Sequence, residues 1–419
     1  MLAGCAVIMT LLSARPAGRA AARPAPGPAG PRLAAATLIT SFGNGLYLTV
    51  AALFFTRTLG FGAARVGVAL TVAGLAGVLA SVPAGRAADR YGIKRVSTVL
   101  LCGEAAAMAA LAFCTTFWAF AIVVCAATAL DRGAASVRQA LYAQAFAPET
   151  RVADRAYIRA VTNVAIGLGA AAAALALQAD DRAVYQTTIL VDAISFLGVV
   201  ALLPGITLRE PAPPATTGTD RRRPVKVRVS RRYQIVAALN AALMIQFALT
   251  EVGLPLWLLQ DTRAPRILVS GLLIANTAMV VLVQVRVARG VHGVASAARA
   301  LRLGGAALAA SCLVAACAKG LSPTAATLVL LTCGALLTAG EVLTQAGAWT
   351  LSYDLADERA VGAYQGVFNA GVAAGQMAGP LVVTQTALRH GLAGWAVLGA
   401  VFAAAGAAIG PVVRRAAVT

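Results

Sequence analysis

Five acidic residues lie inside long apolar runs: Glu104, Asp131, Asp192, Glu251 and Glu341. An ionised carboxylate in hydrocarbon costs several kcal/mol, so each of them needs a partner or a task. A carboxyl group in a low-dielectric pocket holds its proton more tightly than one in water. It can therefore take a proton from one side of a membrane and release it to the other. A second constellation is Gly85-Arg86-Ala87-Ala88-Asp89-Arg90-Tyr91-Gly92-Ile93-Lys94-Arg95. Gly85 lets another backbone come close. Asp89 lies four residues on, along the same helix face, and Gly92 permits a tight reversal. Lys94 and Arg95 anchor the segment at a membrane surface. The plainer reading is an ordinary basic loop between two helices.

Other chemistry is poorly represented. The seven cysteines (Cys5, Cys102, Cys114, Cys125, Cys312, Cys317, Cys333) form no C-x-x-C pair, and His292 and His390 are the only histidines. This argues against a metal site or a disulfide framework. No nucleophile–base pair stands out, and glycine-rich stretches such as Gly167-Leu168-Gly169 lie within apolar runs, where phosphate does not go. Neither an enzyme nor a cofactor is expected.

The elements that carry these residues follow from composition. Hydrophobic residues make up 59% of 419 and charged residues 12%, with a mean hydropathy of +0.79. A soluble domain has about 45–50% and about 25%, so the bilayer must be much of this chain's solvent. A membrane-crossing helix needs about 20 mostly apolar residues. Twelve segments qualify: 34–55, 64–84, 97–118, 119–143, 158–178, 185–207, 234–259, 267–288, 299–318, 324–350, 361–384 and 392–413. The third and fourth run together and are divided at Thr115-Thr116-Phe117-Trp118. Residues 1–33 read as a disordered extension, although Leu2–Cys5 resembles a lipoprotein box without the apolar region it needs. Residues 208–233, Pro-rich and then basic, read as a linker between bundles 34–207 and 234–413, with a tail at 414–419.

The net charge of +19 would suggest nucleic acid in a soluble protein. Here the basic residues lie between the spans, so no nucleic-acid partner is expected. With the N-terminus inside, 26 Lys and Arg fall on cytoplasmic segments and 7 on outer ones. That bias places both termini and the linker in the cytoplasm of a cell-membrane protein. The halves also echo each other. Pro148-Glu149-Thr150-Arg151 is followed by Tyr157, Asn163, Gly167 and Gly169; Asp357-Glu358-Arg359 is followed by Tyr364, Asn369, Gly371 and Gly375. Such duplication is typical of secondary transporters.

On these features the chain resembles the major facilitator superfamily, whose loop 2–3 signature G-x-x-x-D-R-x-G-x-K/R-R matches Gly85–Arg95. The resemblance covers about residues 34–413. Arg155–Asn163 and Tyr364-Gln365-Gly366 look most like actinobacterial multidrug-efflux permeases, which are drug/proton antiporter-like. It implies an all-α integral membrane protein, with twelve transmembrane helices in two pseudo-symmetric six-helix bundles. It also implies a gate: the carboxylate of Asp89 meets the N-terminal end of span 11, Gly85 permits the approach, and Arg90 and Arg95 complete a charge network. Two departures from the family pattern stand out. Arg132 is followed four residues later by Ser136 rather than Gly, and span 5 lacks the Pro of the antiporter run.

The family fold puts spans 1, 4, 7 and 10 around a central cavity. That singles out Asp131, then Glu341 and Glu251, for proton coupling, and leaves Glu104 and Asp192 as structural. For Asp131 the rival reading is an ion pair with Arg138. Arg132 is adjacent, but neighbouring helical residues point about 100° apart and need not pair. Asn44, Tyr47, Arg132, Asn163, Trp257, Asn276 and Gln345 are the cavity candidates. They suit lipophilic or weakly cationic small molecules, with protons as the coupling partner and a monomer as the working unit. A proton-coupled uptake permease, or a sensor or assembly protein on the same scaffold, are the alternatives.

Overall fold

The structure, a computed structural model, describes residues 30–54, 61–176, 182–208 and 228–414. Most of the expected extension, linker and tail lies outside the described residues. Where they overlap, helix extends further than hydropathy suggests: the first helix starts at Gly30, the seventh at Arg231, and Arg414 is still helical.

The described residues are helical, with no strand among them. In lipid each backbone N–H and C=O must be satisfied within its own segment, which leaves a chain this apolar little alternative. The helices are α1 Gly30–Leu53, α2 Ala63–Tyr91, α3 Ile93–Ala112, α4 Phe117–Ala145, α5 Arg151–Ala176, α6 Arg182–Leu202, α7 Arg231–Asp261, α8 Leu268–Ala288, α9 Gly293–Ala316, α10 Pro323–Asp354, α11 Val361–Val383 and α12 Arg389–Arg414. Eleven stretches are long and apolar enough to cross a membrane; the last, Glu358–Arg414, contains both α11 and α12. Thr384–Leu388 forms a π-turn between them, and Gly391, at φ 55° and ψ −131°, breaks the first turn of α12 in a conformation that L side chains avoid. The span count is therefore twelve among the described residues.

Local chemistry sets the breaks. Thr116 caps α4 by accepting from the Ala119 N–H at 3.3 Å, which places the α3–α4 turn within the run where it was expected. Ser322 and Pro323 start α10 in the same manner. α2 runs on to Tyr91, so Gly85–Tyr91 is helix rather than loop, and the reversal falls on Gly92 at φ 91°. α7 is not uniform. Leu249–Gly253 forms a π-turn just before Pro255, and the wider turn accommodates the missing proline N–H.

The described chain forms two compact units. One holds α1–α6 together with Ala356–Ala373; the other holds Arg231–Leu355 with residues 374–414. The start of α11 thus packs with the first unit, not with the half from which the sequence derives it. Small residues set the closest approaches in both units. A Cβ on Gly45 of α1 would strike the Ile166 carbonyl oxygen of α5, and one on Gly169 would strike that of Phe42. In the second unit a Cβ on Gly375 of α11 would strike the Ala241 carbonyl oxygen of α7. Gly169 and Gly375 occupy matching places in the internal repeat, so the duplication preserves a packing contact.

Candidate functional site

Asp89 sits in the last turn of α2, facing the first turn of α11. Its Oδ1 accepts the Gly362 N–H at 2.7 Å and its Oδ2 accepts the Ala363 N–H at 2.7 Å. The first N–H groups of a helix have no partner within the helix, and the helix dipole favours an anion there. One carboxylate thus satisfies two donors. The approach requires glycine on both sides. A Cβ on Gly85 would run into the Gly362 carbonyl oxygen, and one on Gly362 into that of Gly85. One turn on, a Cβ on Gly366 would lie 2.8 Å from the Ser81 carbonyl oxygen. The basic residues behave differently from the expected network. Arg90 lies over the Tyr91 ring at 5.1 Å, Lys94 donates to the Pro204 carbonyl at 3.1 Å, and Arg95 is exposed. No ion pair joins Arg90 or Arg95 to Asp89 among the described residues.

The coupling candidates differ in setting. Asp131 and Arg132 pair at 3.6 Å, both about two-fifths exposed. The long Arg stem spans the angle that separates adjacent helical residues, and its Cγ lies over Gly77 of α2, where a Cβ would be 2.8 Å away. Glu341 is buried, and Asn276 of α8 donates to its Oε2 at 3.2 Å and to Thr338 Oγ1 at 2.9 Å. Glu251 lies in the π-turn of α7 and is exposed. Beside that turn, Thr250, Asn276, Gly334 and Thr338 line a cavity of about 20 Å³, with leucines, Pro255 and Val269 completing the wall. Asn276 and Glu341 were separate candidates, and the fold joins them. Replacing Asn276 with leucine leaves Glu341 without that donor. It should destabilise the protein by about 1–3 kcal/mol, lowering its thermal unfolding midpoint in detergent. An unchanged midpoint would mean that the bond contributes nothing.

The remaining candidates scatter. Asn44 is exposed, and Tyr47 and Asn163 are half-buried on α1 and α5. Gln345 is buried in α10, next to Thr344, whose Oγ1 accepts from Gln246 Nε2 at 3.0 Å. Trp257 lies in the packing between helices. It is buried, donates to the Ala315 carbonyl at 2.8 Å and meets Trp395 edge-on at 5.6 Å. A large indole next to α9 and α12 is better accommodated by packing than by a wet pocket. Sequence reasoning did not single out Gly362, Thr338 or Gln246. Only Gly362 had a usable signal, as the first member of Gly362-x-x-x-Gly366.

Twelve membrane-length helices in two pseudo-symmetric bundles, with carboxyl groups inside them, define a multi-pass membrane protein of transporter architecture. The model of the Major Facilitator Superfamily matches residues 33–380, and the chain belongs to that family. Membership points to a transporter rather than an enzyme. The fold is similar to the human organic anion transporter MFSD10 (TETRAN), at 17% identity and TM-score 0.66, covering 91% of this chain and 98% of that one. It is similar to a bacterial homologue of the iron transporter ferroportin in its outward-facing state, at 15% identity and TM-score 0.67, covering 93% and 99%. It is also similar to the E. coli fucose:proton symporter FucP, at 10% identity and TM-score 0.64, covering 91% and 97%. No curated protein matches the chain.

Proposed function

We propose that the chain is a secondary active transporter that exports small amphipathic or lipophilic molecules across the cell membrane, driven by inward proton flow. The docking of Asp89 on the Gly362 and Ala363 N–H groups carries this reading. A carboxylate on two helix-end donors is a contact that can form and break as a unit, which alternating access requires. Asp131, Glu341 and Glu251 are the proton-coupling residues in this reading, and Asp89 with Gly85 is the gate. Arg90, Gly92, Lys94 and Arg95 shape and anchor the turn beside it. Both termini lie on the cytoplasmic side, and one copy is the working unit. The drug-exporter subtype rests on the Arg155–Asn163 and Tyr364–Gly366 stretches.

Metabolites compared inside and outside cells with and without the gene test the direction. Retention of a compound inside the deletion strain supports export. A compound left in the medium and missing inside means uptake. With the compound known, counterflow in vesicles separates a carrier from a sensor. Neutralising Asp131, Glu251 and Glu341 together should abolish the pH dependence of flux; pH dependence that survives defeats the coupling assignment.

A further inference from the structure

A cavity of about 50 Å³ lies within the first unit, where Thr40 of α1, Leu101 of α3, Ala134 and Arg138 of α4 and Val199 of α6 form part of its wall. Three or four residues further along each helix, about 5 Å at 1.5 Å per residue, come Gly43, Glu104, Asp131 and Ser195. α1 and α3 run one way there and α4 and α6 the other, so these four positions lie on the same side of the cavity.

At that level sit two buried carboxyl groups. Asp192 of α6 is 2% exposed, Ser195 8% and Glu104 of α3 5%. Asp192 and Ser195 meet each other, and neither Asp192 Oδ1 nor Ser195 Oγ has a hydrogen-bond partner on another helix. Both point at one spot on α1: a Cβ on Gly43 would lie 2.5 Å from Asp192 Oδ1 and 2.7 Å from Ser195 Oγ. Glu104 is within electrostatic range of Asp192, Asp131 and Arg138. Asp192 is within range of Asp131 and Tyr47 as well. No charged group of α2 or α5 is among those acting on Glu104 or Asp192.

The charges do not balance if every acid is ionised. Asp131 has Arg132. Glu104 and Asp192 are left with Arg138, which is exposed and acts on Glu104. Two buried carboxylates facing one exposed cation are costly, and a single bound proton removes most of that cost. A metal fits poorly, because no three His, Cys, Asp or Glu side chains among the described residues are spaced to hold one.

We propose that Glu104 and Asp192 form a buried proton-binding pair within the first unit, reached through the cavity beside Arg138 and separate from the carboxyl groups assigned to the central cavity. The use of this proton in transport rests on the carrier reading above; its presence does not.

Infrared spectra of the full chain in lipid at neutral pH, in H2O and D2O, test the pair. The spectrum of the wild type minus that of the Glu104→Gln, Asp192→Asn double variant should contain the carbonyl band of one protonated carboxyl, shifted in D2O. A difference without that band overturns the proposal. So does a band that disappears when Na⁺ or Ca²⁺ is added at constant pH, which would make the pair a cation site. If the double variant does not fold, dicyclohexylcarbodiimide on the wild type gives a second reading, because it attacks protonated carboxyls. Modification of Glu104 or Asp192, located by mass spectrometry, supports the pair; modification confined to other acids overturns it. A chain that shows the band but fails counterflow loses the carrier reading and keeps this one.

Discussion

Replacing Asp89 with alanine should lower flux of the transported compound about tenfold at equal protein level. The side chain accepts two backbone N–H groups at 2.7 Å each. Hydrogen bonds to a charged group contribute about 1.5–3 kcal/mol each when shielded. Asp89 is partly open to solvent, so a joint contribution of about 2 kcal/mol is a fair figure. That is roughly 30-fold in the balance between docked and released forms. Asp89→Asn is the sharper variant. Asparagine has one acceptor oxygen, so its amide N–H2 must face one of the two helix donors, and most of the loss should remain. Asp89→Glu keeps the charge but adds a methylene where the backbones of Gly85 and Gly362 already touch, and it should not rescue. Uptake into inverted vesicles, compared at matched expression, reads all three. Wild-type flux in Asp89→Asn would remove the docking contact from the mechanism.

Gly362→Ala should be more damaging still. Its Cβ would lie 2.7 Å from Asp89 Oδ1 and overlap the Gly85 carbonyl oxygen. Backbone cannot yield as a flexible side chain can, so α2 and α11 must part. Overpacking of this kind costs about 1–3 kcal/mol, and the Asp89 bonds are lost with it. Flux should fall below the Asp89→Ala level, and the thermal midpoint in detergent should fall as well. Gly67→Ala is the matched control. It lies on the same α2 with nothing within 4 Å of its Cβ, and alanine there should leave flux unchanged and favour the helix slightly. If Gly362→Ala behaves like Gly67→Ala, the close approach has no functional weight.

Hydropathy located all twelve spans because each is an unbroken apolar run, and Thr116 marked the one ambiguous division. It misplaced helix ends because charge ends an apolar run but not a helix. Gly85–Tyr91 contains good helix formers and continues α2 until Gly92 stops it. The four-residue step from Gly85 to Asp89 was readable, since helical periodicity puts both on one face. The donors on Gly362 and Ala363 were not individually readable, because backbone N–H groups carry no residue signature. Glu104 and Asp192 read as structural because spans 3 and 6 lie outside the set that the family fold puts around the cavity; only the packing of α3 and α6 with α1 and α4 gives them their neighbours. Adjacent Asp131 and Arg132 pair because a flexible side chain defeats a rule about directions. The π-turn in α7 left no periodicity signal, although Pro255 marks its neighbourhood.

α8 has 21 residues, of which only Val280, Gln284 and Ala288 are buried, while Leu273, Ile274 and Leu282 are exposed. Little side-chain burial holds it in place, and Asn276 is its polar tie to α10. For this helix the acyl chains are therefore a structural neighbour as much as the protein is. Bilayer thickness and acyl order act on α8 directly, so the lipid mixture is a determinant of how the neighbourhood of Glu341 is arranged.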